Sequence, residues 1–375
     1  MPPLVIDIRS ADDSRDVVHR AVQALAEGKL VVFPTETVYA MAASALNAGA
    51  VQRLLAVKRR QPGETPLTLA IKSADDALDY IPNMSRLALR LARRCWPGPV
   101  TLVCPDNHPD SLITQLPQAV RQAVVPSGTL GLRVPGHQTF IDVLRMLAGP
   151  VVISSANRTK EPESLTAQDA AKALEDDVQL ILDDGRSRFG QPSTVVRVDK
   201  DQMEILRPGV VSEQTLRRLS SFLILFACTG NTCRSPMAEA MCRKLLADRL
   251  GCKIEELEDR GIMVMSAGLS ASMGGRPAAE AVEAMHTRGI DLTPHESQAL
   301  TANLVRHADV IWAMTRSHRQ DILAQWPEAA RRCDLLCLDM RDIPDPIGGP
   351  LEYYQQCADS MELEINARLK QLEIN

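Results

Sequence analysis

The chain has 375 residues, too many for one ordinary core at ~150 residues per domain, so two domains are expected. Hydrophobic residues make up 45% and charged ones 24%, a balance that excludes wholesale disorder. A formal net charge of -5 supplies no global field toward nucleic acid or anionic lipid, so any polyanion site has to be local. The start, MPPLVIDIRSADDSRD, lacks a basic segment followed by an apolar one, and no window approaches the ~18 uninterrupted apolar residues of a membrane span. A cytoplasmic protein without membrane association is expected. Nine cysteines scattered through predicted strands and helices fit reduced thiols better than a disulfide framework. Cys333 and Cys337 have no second pair or nearby His to complete a zinc set, so no metal site is expected.

In chain order, SRDVVHRAVQALAEG places Val18, Ala21, Val22 and Leu25 on one helical face, and Gly28 supplies a stop. KLVVFP reads as a buried strand, AVQRLLAVKRR as a helix, and LTLAI, VTLVC, LGLRVP, VVISS, STVVRV and MEILRP as strands. That succession predicts a mixed, twisted sheet with helices outside. RPGVVSEQTLRRLSS, with Pro, Gly and Ser at its ends, marks a domain boundary near residues 208 to 221. Beyond it the pattern predicts strands at 222–227, 262–266, 309–314 and 333–338. Helices are predicted at 236–250, 277–288 and 316–325, with a last one from about 350. This alternation is that of an α/β unit with a parallel sheet covered on both faces.

Parallel sheets bind ligands beyond the carboxyl ends of their strands, and the first such end here is Cys228, in FACTGNTCRSPMAEA. Gly230 permits a tight turn, Asn231 tolerates left-handed geometry, and successive N–H groups of such a loop converge on an anion. A helix beginning near Ser235–Pro236 aims its positive end at the same point, which favours a thiolate. Arg234 adds a planar fork for two oxygens of a tetrahedral oxyanion. A thiolate attacking phosphorus needs an acid for the leaving group. The loop DIPDPIGGP carries Asp342 and Asp345, of which Asp345 is the preferred candidate.

With SAG at 266–268, PH at 294–295 and DPIGG at 345–349, residues 222–375 resemble the low-molecular-weight protein tyrosine phosphatases. The resemblance implies a Rossmann-like parallel sheet, no cofactor, and a phosphorylated protein as substrate. It implies Cys228 as nucleophile forming a phosphocysteine, Arg234 as phosphoryl ligand and Asp345 as acid then base. Asn231, Ser235, Ser266 and His295 match the family's supporting network, and Cys233 matches a thiol able to trap an oxidised nucleophile. Thr232 resembles the protein arginine phosphatase branch, where a hydroxyl can accept from a guanidinium. Ile347 and Pro350 offer no aromatic surface to a substrate, and Tyr353 and Tyr354 lie farther along, so phosphotyrosine and phosphoarginine stay open. Arsenate suits the same cradle, but Cys333, Cys337 and Cys357 do not read as the relay pair an arsenate reductase needs.

In the first half, VVFPTETVYAMAA, KRRQPGETPL, WPGPVTLV, LRVPGH, SSANR, STVV and LRPG occur in the order of the YrdC-like threonylcarbamoyl-AMP synthases, which residues 10–210 resemble. The resemblance implies a YrdC-like mixed sheet and a reaction of threonine, bicarbonate and ATP, with Mg2+, that feeds tRNA modification. Lys58 with Arg60, and Ser155 with Asn157, match paired motifs of that family. Thr35, Thr129, Arg133, Ser193 and Arg207 fall at matching nucleotide or threonine positions. Ala40, Thr65, Ala70, Ile153 and Glu163 depart from the pattern. A domain that only binds nucleotide, tRNA or other structured RNA, or tRNA-modification proteins, therefore stays open beside a working synthase.

Overall fold

The computed structural model describes residues 2–61 and 66–372, so Thr65 lies outside the described residues. The chain divides into two units, Met1–Leu219 and Ser220–Asn375. No helix among the described residues is long and apolar enough to cross a membrane.

The first unit carries strands β1 (Leu4–Asp7), β2 (Val31–Phe33), β3 (Ala40–Ser44), β4 (Thr68–Ala70), β5 (Val100–Pro105), β6 (Thr129–Arg133), β7 (Val151–Ser155), β8 (Leu180–Asp183), β9 (Thr194–Asp199) and β10 (Gln202–Arg207). They form one sheet in the order β1-β8-β2-β3-β7-β4-β6-β5-β9-β10. Pairing is mixed: β2 runs parallel to β8 and antiparallel to β3, and β4 runs parallel to β6 and antiparallel to β7. Helices cover both faces because alternate strand residues point to opposite sides. Val31 and Phe33 pack with Val18, Ala21 and Leu25 of helix Ser14–Ala26 and with Phe140, whereas Val32 packs with Leu54 and Leu55 of helix Ala48–Val57. Phe33 and Phe140 stack at 4.2 Å between ring centroids. β1, β3 and β8 are absent from the sequence expectation, which also stops short of the helices at Arg86–Cys95 and Gln138–Met146.

The second unit carries β11 (Phe222–Cys228), β12 (Ile262–Gly268), β13 (Val310–Ala313) and β14 (Cys333–Leu335), all parallel, in the order β12-β11-β13-β14. Along β11, Leu223, Leu225 and Ala227 enter one apolar cluster and Ile224, Phe226 and Cys228 the other. That two-residue alternation puts Cys228 on the side covered by helices Arg234–Leu250 and Leu351–Gln371. Helix Arg234–Leu250 starts two residues ahead of the expected 236, because Arg234 already takes helical geometry, and Gly251 closes it at φ +61°. β14 is shorter than the expected 333–338. All nine cysteines are free thiols.

Candidate active sites

β11 delivers Cys228 to the carboxyl edge of the parallel sheet, 3% exposed. The turn that follows needs a left-handed residue, which Asn231 provides at φ +56°. Its backbone N–H then donates to Cys228 Sγ at 3.2 Å. Ser235 Oγ lies 2.9 Å from the same sulfur. The Asn231 amide sends one hydrogen to Ser235 Oγ at 2.9 Å and the other to Ser266 Oγ at 2.8 Å, while its Oδ1 accepts from Gln298 N at 2.9 Å. Ser235, accepting from that amide, is left to direct its own hydroxyl hydrogen at the sulfur. Ser266 in turn donates to Glu239 Oε2 at 2.7 Å, and burial pushes the Glu239 carboxyl above its usual range. His295 Nε2 donates to the Asn231 carbonyl at 2.9 Å. The loop also rests on Gly268, where a Cβ would stand 2.4 Å from the Thr229 carbonyl oxygen.

Arg234 is buried, with its guanidinium donating to the Ile343 carbonyl at 3.3 Å and paired with the Asp345 carboxylate. The two candidate aspartates are thereby separated. Asp342 accepts the Arg316 backbone N–H at 2.8 Å, and that bond holds its carboxyl below the usual range. Asp345 meets Arg234 and is 42% exposed on its side chain, open to a bound ligand.

Cys233 is buried beside Thr232 Oγ1 at 3.6 Å and Tyr354 Oη at 3.8 Å, and burial pushes its thiol up. Tyr354 therefore reaches the loop although the sequence places it far beyond the acid loop, while Tyr353 is exposed. Glu239, Gln298 and His318 escape sequence reasoning. Glu239 and His318 lie on different helices and Gln298 lies outside any helix or strand, and only the fold brings them to the loop.

In the first unit a cleft of about 340 Å³ opens along β4, β6, β7 and β9. Of the expected residues, Arg60, Thr129, Arg133, Ser155, Ser193 and Arg207 line it. Thr35, Lys58 and Asn157 are not among its lining residues. Lys58 is 1% exposed and donates to Asn157 O at 2.6 Å, Asn157 Oδ1 at 2.8 Å, Ser155 O at 3.1 Å and Ser155 Oγ at 3.3 Å. Burial pulls its ammonium down to about 8, with Arg60 adding to the fall and Glu163 opposing it. Thr35 Oγ1 donates to the Val38 carbonyl at 2.6 Å and lies 2.9 Å from Thr37 Oγ1. Thr37 and Glu36 in turn hold Arg133, at 2.9 and 2.7 Å. Arg207 donates to Ser193 O at 2.8 Å, and Ser193 Oγ sits 3.0 Å from Thr101 Oγ1. Among the departures, Ala40 and Ile153 line the cleft, whereas Ala70 is buried in the apolar cluster with Phe33 and Phe140.

Residues 23–209 match a family model described as Telomere recombination, of the Sua5, YciO and YrdC proteins, and residues 223–375 match Low molecular weight phosphotyrosine protein phosphatase. The chain is 30% identical over 246 residues to the threonylcarbamoyl-AMP synthase of Pyrococcus abyssi, covering 62% of this chain and 69% of that protein. It is 37% identical over 154 residues to the protein-arginine-phosphatase of Bacillus subtilis, covering 40% of this chain and 96% of that one. The chain belongs to both families.

Two enzyme families are thus joined in one polypeptide, a Sua5/YrdC domain followed by a low-molecular-weight phosphatase domain. The solved structure of P. abyssi Sua5 complexed with L-threonine shares the fold at a TM-score of 0.51 and 22% identity, covering 70% of this chain and 92% of that one.

Proposed function

We propose that the phosphatase domain hydrolyses protein phosphoarginine through a phosphocysteine intermediate, and that the Sua5/YrdC domain makes threonylcarbamoyl-AMP from threonine, bicarbonate and ATP. The first half of this reading is carried by one observation. A buried thiol accepts a loop N–H at 3.2 Å and faces a serine hydroxyl at 2.9 Å, next to a buried arginine paired with a carboxylate. Cys228 attacks phosphorus, Arg234 holds the equatorial oxygens, and Asp345 protonates the leaving nitrogen or oxygen. Asp345 then takes a proton from the water that splits the sulfur–phosphorus bond. Asn231, Ser235, Ser266 and His295 hold the loop in the conformation that points N–H groups inward. Cys233 is read, by its match to the family, as the thiol that would trap an oxidised Cys228. Phosphoarginine is favoured over phosphotyrosine by Thr232 in the loop and by the name of the Bacillus subtilis relative. The deciding experiment is a panel of phosphoarginine, phosphotyrosine and arsenate. Faster turnover of phosphotyrosine would overturn the assignment to phosphoarginine.

Replacing the acid exposes a second consequence of the Arg234–Asp345 pair. Asp345→Asn is expected to lower kcat by about 10²–10³-fold, the usual worth of a positioned general acid. Inorganic phosphate should inhibit the variant at least as strongly as the wild type, since the carboxylate no longer competes for the guanidinium. Weaker phosphate inhibition in the variant would show that the Asp345 carboxylate does not compete with phosphate for Arg234.

For the Sua5/YrdC domain, the reading rests on three arginines and several hydroxyls converging on one cleft. Arg60, Arg133 and Arg207 suit triphosphate and carbamate oxygens, and Thr129 and Ser193 suit a small amino acid. Lys58, Thr35 and Asn157 act from behind the wall. The described lining offers no carboxylate to hold Mg2+, and ATP is taken to enter as its magnesium salt. Wild-type protein given ATP, threonine and bicarbonate should release pyrophosphate, with none when threonine is omitted. No release above background would favour a domain that only binds nucleotide or tRNA.

A further inference from the structure

The segment between β13 and helix Arg316–Gln325 does more than connect them. Met314 N donates to the Ala227 carbonyl at 3.0 Å, one residue before the nucleophile, and the Met314 carbonyl accepts Ile343 N at 2.8 Å from the acid loop. Arg316 N is bound to Asp342 at 2.8 Å on that same acid loop. His318 completes the set. Its Nε2 lies 2.8 Å from Thr229 Oγ1, the residue following the nucleophile, and its Nδ1 lies 2.9 Å from Thr315 Oγ1, which caps the helix. The ring is 7% exposed and bridges two hydroxyls with both nitrogens occupied.

We propose that His318 is a positioning residue for the phosphatase reaction, fixing the start of the nucleophile loop through Thr229 while its own helix end holds the acid loop through Arg316 and Asp342. The proposal rests on the phosphatase reading of the Cys228 site. A neutral imidazole has one N–H and one lone pair in the plane of the ring, so one threonine donates to it and the other accepts from it. A protonated ring has two donors, and the hydroxyl that donates would have to turn round. The groups facing the ring favour the neutral form overall. Burial first and Arg234 second pull its pKa below the ordinary value, against Asp321 on its own helix and Asp345 and Asp342 on the acid loop. Because the folded value is depressed, the neutral bridge is intact above the ordinary histidine range and is lost as pH falls through the folded value.

Three variants of the full chain test this: His318→Gln, Thr229→Val and the double variant. The substrate is an aryl phosphate, assayed from about pH 5 to 8. Each single variant is expected to lose about 5–10-fold in kcat/KM at neutral pH, the worth of one hydrogen bond to the loop. The double variant should be no worse than the poorer single one, since both remove the same bond. The deficit of His318→Gln should shrink toward acid pH, where the wild-type bridge also fails. Alkylation of Cys228 by iodoacetate, followed by peptide mass mapping, should slow in both single variants. Losses that multiply in the double variant, or a deficit that does not change with pH, would overturn the proposal. So would unchanged alkylation and turnover in Thr229→Val, which alters shape least. Should the wild type show no Cys228-dependent hydrolysis, the phosphatase reading fails instead, and the alkylation rates alone decide the role of His318.

Discussion

Cys228→Ser is expected to reduce hydrolysis of an aryl phosphate or phosphoarginine by on the order of 10⁴-fold or more, as loss of a nucleophile does when the rest of a site survives. The expected survival is as informative as the loss. The Asn231 side chain, Ser235 and Arg234 have partners other than the sulfur: Ser266 and Gln298 hold the Asn231 amide, that amide holds Ser235, and Ile343 and Asp345 hold Arg234. Inorganic phosphate should therefore still bind the serine variant within about threefold of the wild type, measured by calorimetry on the full chain, a change well under 1 kcal/mol. A variant that lost binding and turnover together would show that the thiol organises the loop rather than being held by it. Unchanged hydrolysis would remove Cys228 as the nucleophile.

The second large effect is expected in the other unit. Lys58→Met removes an ammonium whose three hydrogens are shared among four oxygens, the buried O and Oδ1 of Asn157 and the half-buried O and Oγ of Ser155. At ~1–3 kcal/mol for a buried acceptor left unsatisfied, with Asn157 O losing the Lys58 donor while Asn157 Oδ1 keeps Ser155 Oγ at 2.6 Å, the loss should reach on the order of 3 kcal/mol. Hydrogen exchange on peptides of the first unit is the readout, because it separates the two units within the intact chain. Pyrophosphate release should fall with it, since Ser155 lines the cleft. The pH dependence has a definite sign. Burial pulls the folded ammonium from 10.5 to about 8, so between those values the unfolded chain keeps a proton that the folded chain releases. Stability contributed at this position should climb across that window in the wild type and not in the variant, and on acidification it is lost between 10.5 and about 8. Parallel stability curves for the two proteins over that window would contradict the assignment.

What the sequence made legible was whatever is local. An apolar run ending on a thiol, a Gly-Asn turn and a Ser-Pro helix start lie within fourteen residues from Leu223 to Pro236, and each has its own backbone rule. The fold completes the site from elsewhere. Glu239, on the buried side of its helix, looks like an ordinary surface acid in MAEA, and Gln298 and His318 carry no turn or cap signal that points to Asn231 or Thr229. Only strand order places them, because β13 and β12 flank β11. The choice between Asp342 and Asp345 was also beyond periodicity, since both occupy one Pro-rich loop and differ only in which arginine each meets. In the first unit the motifs marked the cleft's rim, yet Lys58 and Thr35 proved to stand behind it. Sequence spacing cannot distinguish a side chain that faces a ligand from one that braces the wall. The short edge strand β1 and its neighbour β8 were missed for a related reason, because four residues carry too little alternation to read.

Gly268 gives the phosphatase site a last property. Where a methyl group would stand 2.4 Å from the Thr229 oxygen and 2.8 Å from the Ala271 methyl carbon, the neighbouring strand has none, so two stretches of main chain lie directly on each other. The seating of the loop backbone at Thr229 and Asn231 against the neighbouring strand is consequently set by main-chain thickness, a dimension that no side-chain rotamer can adjust.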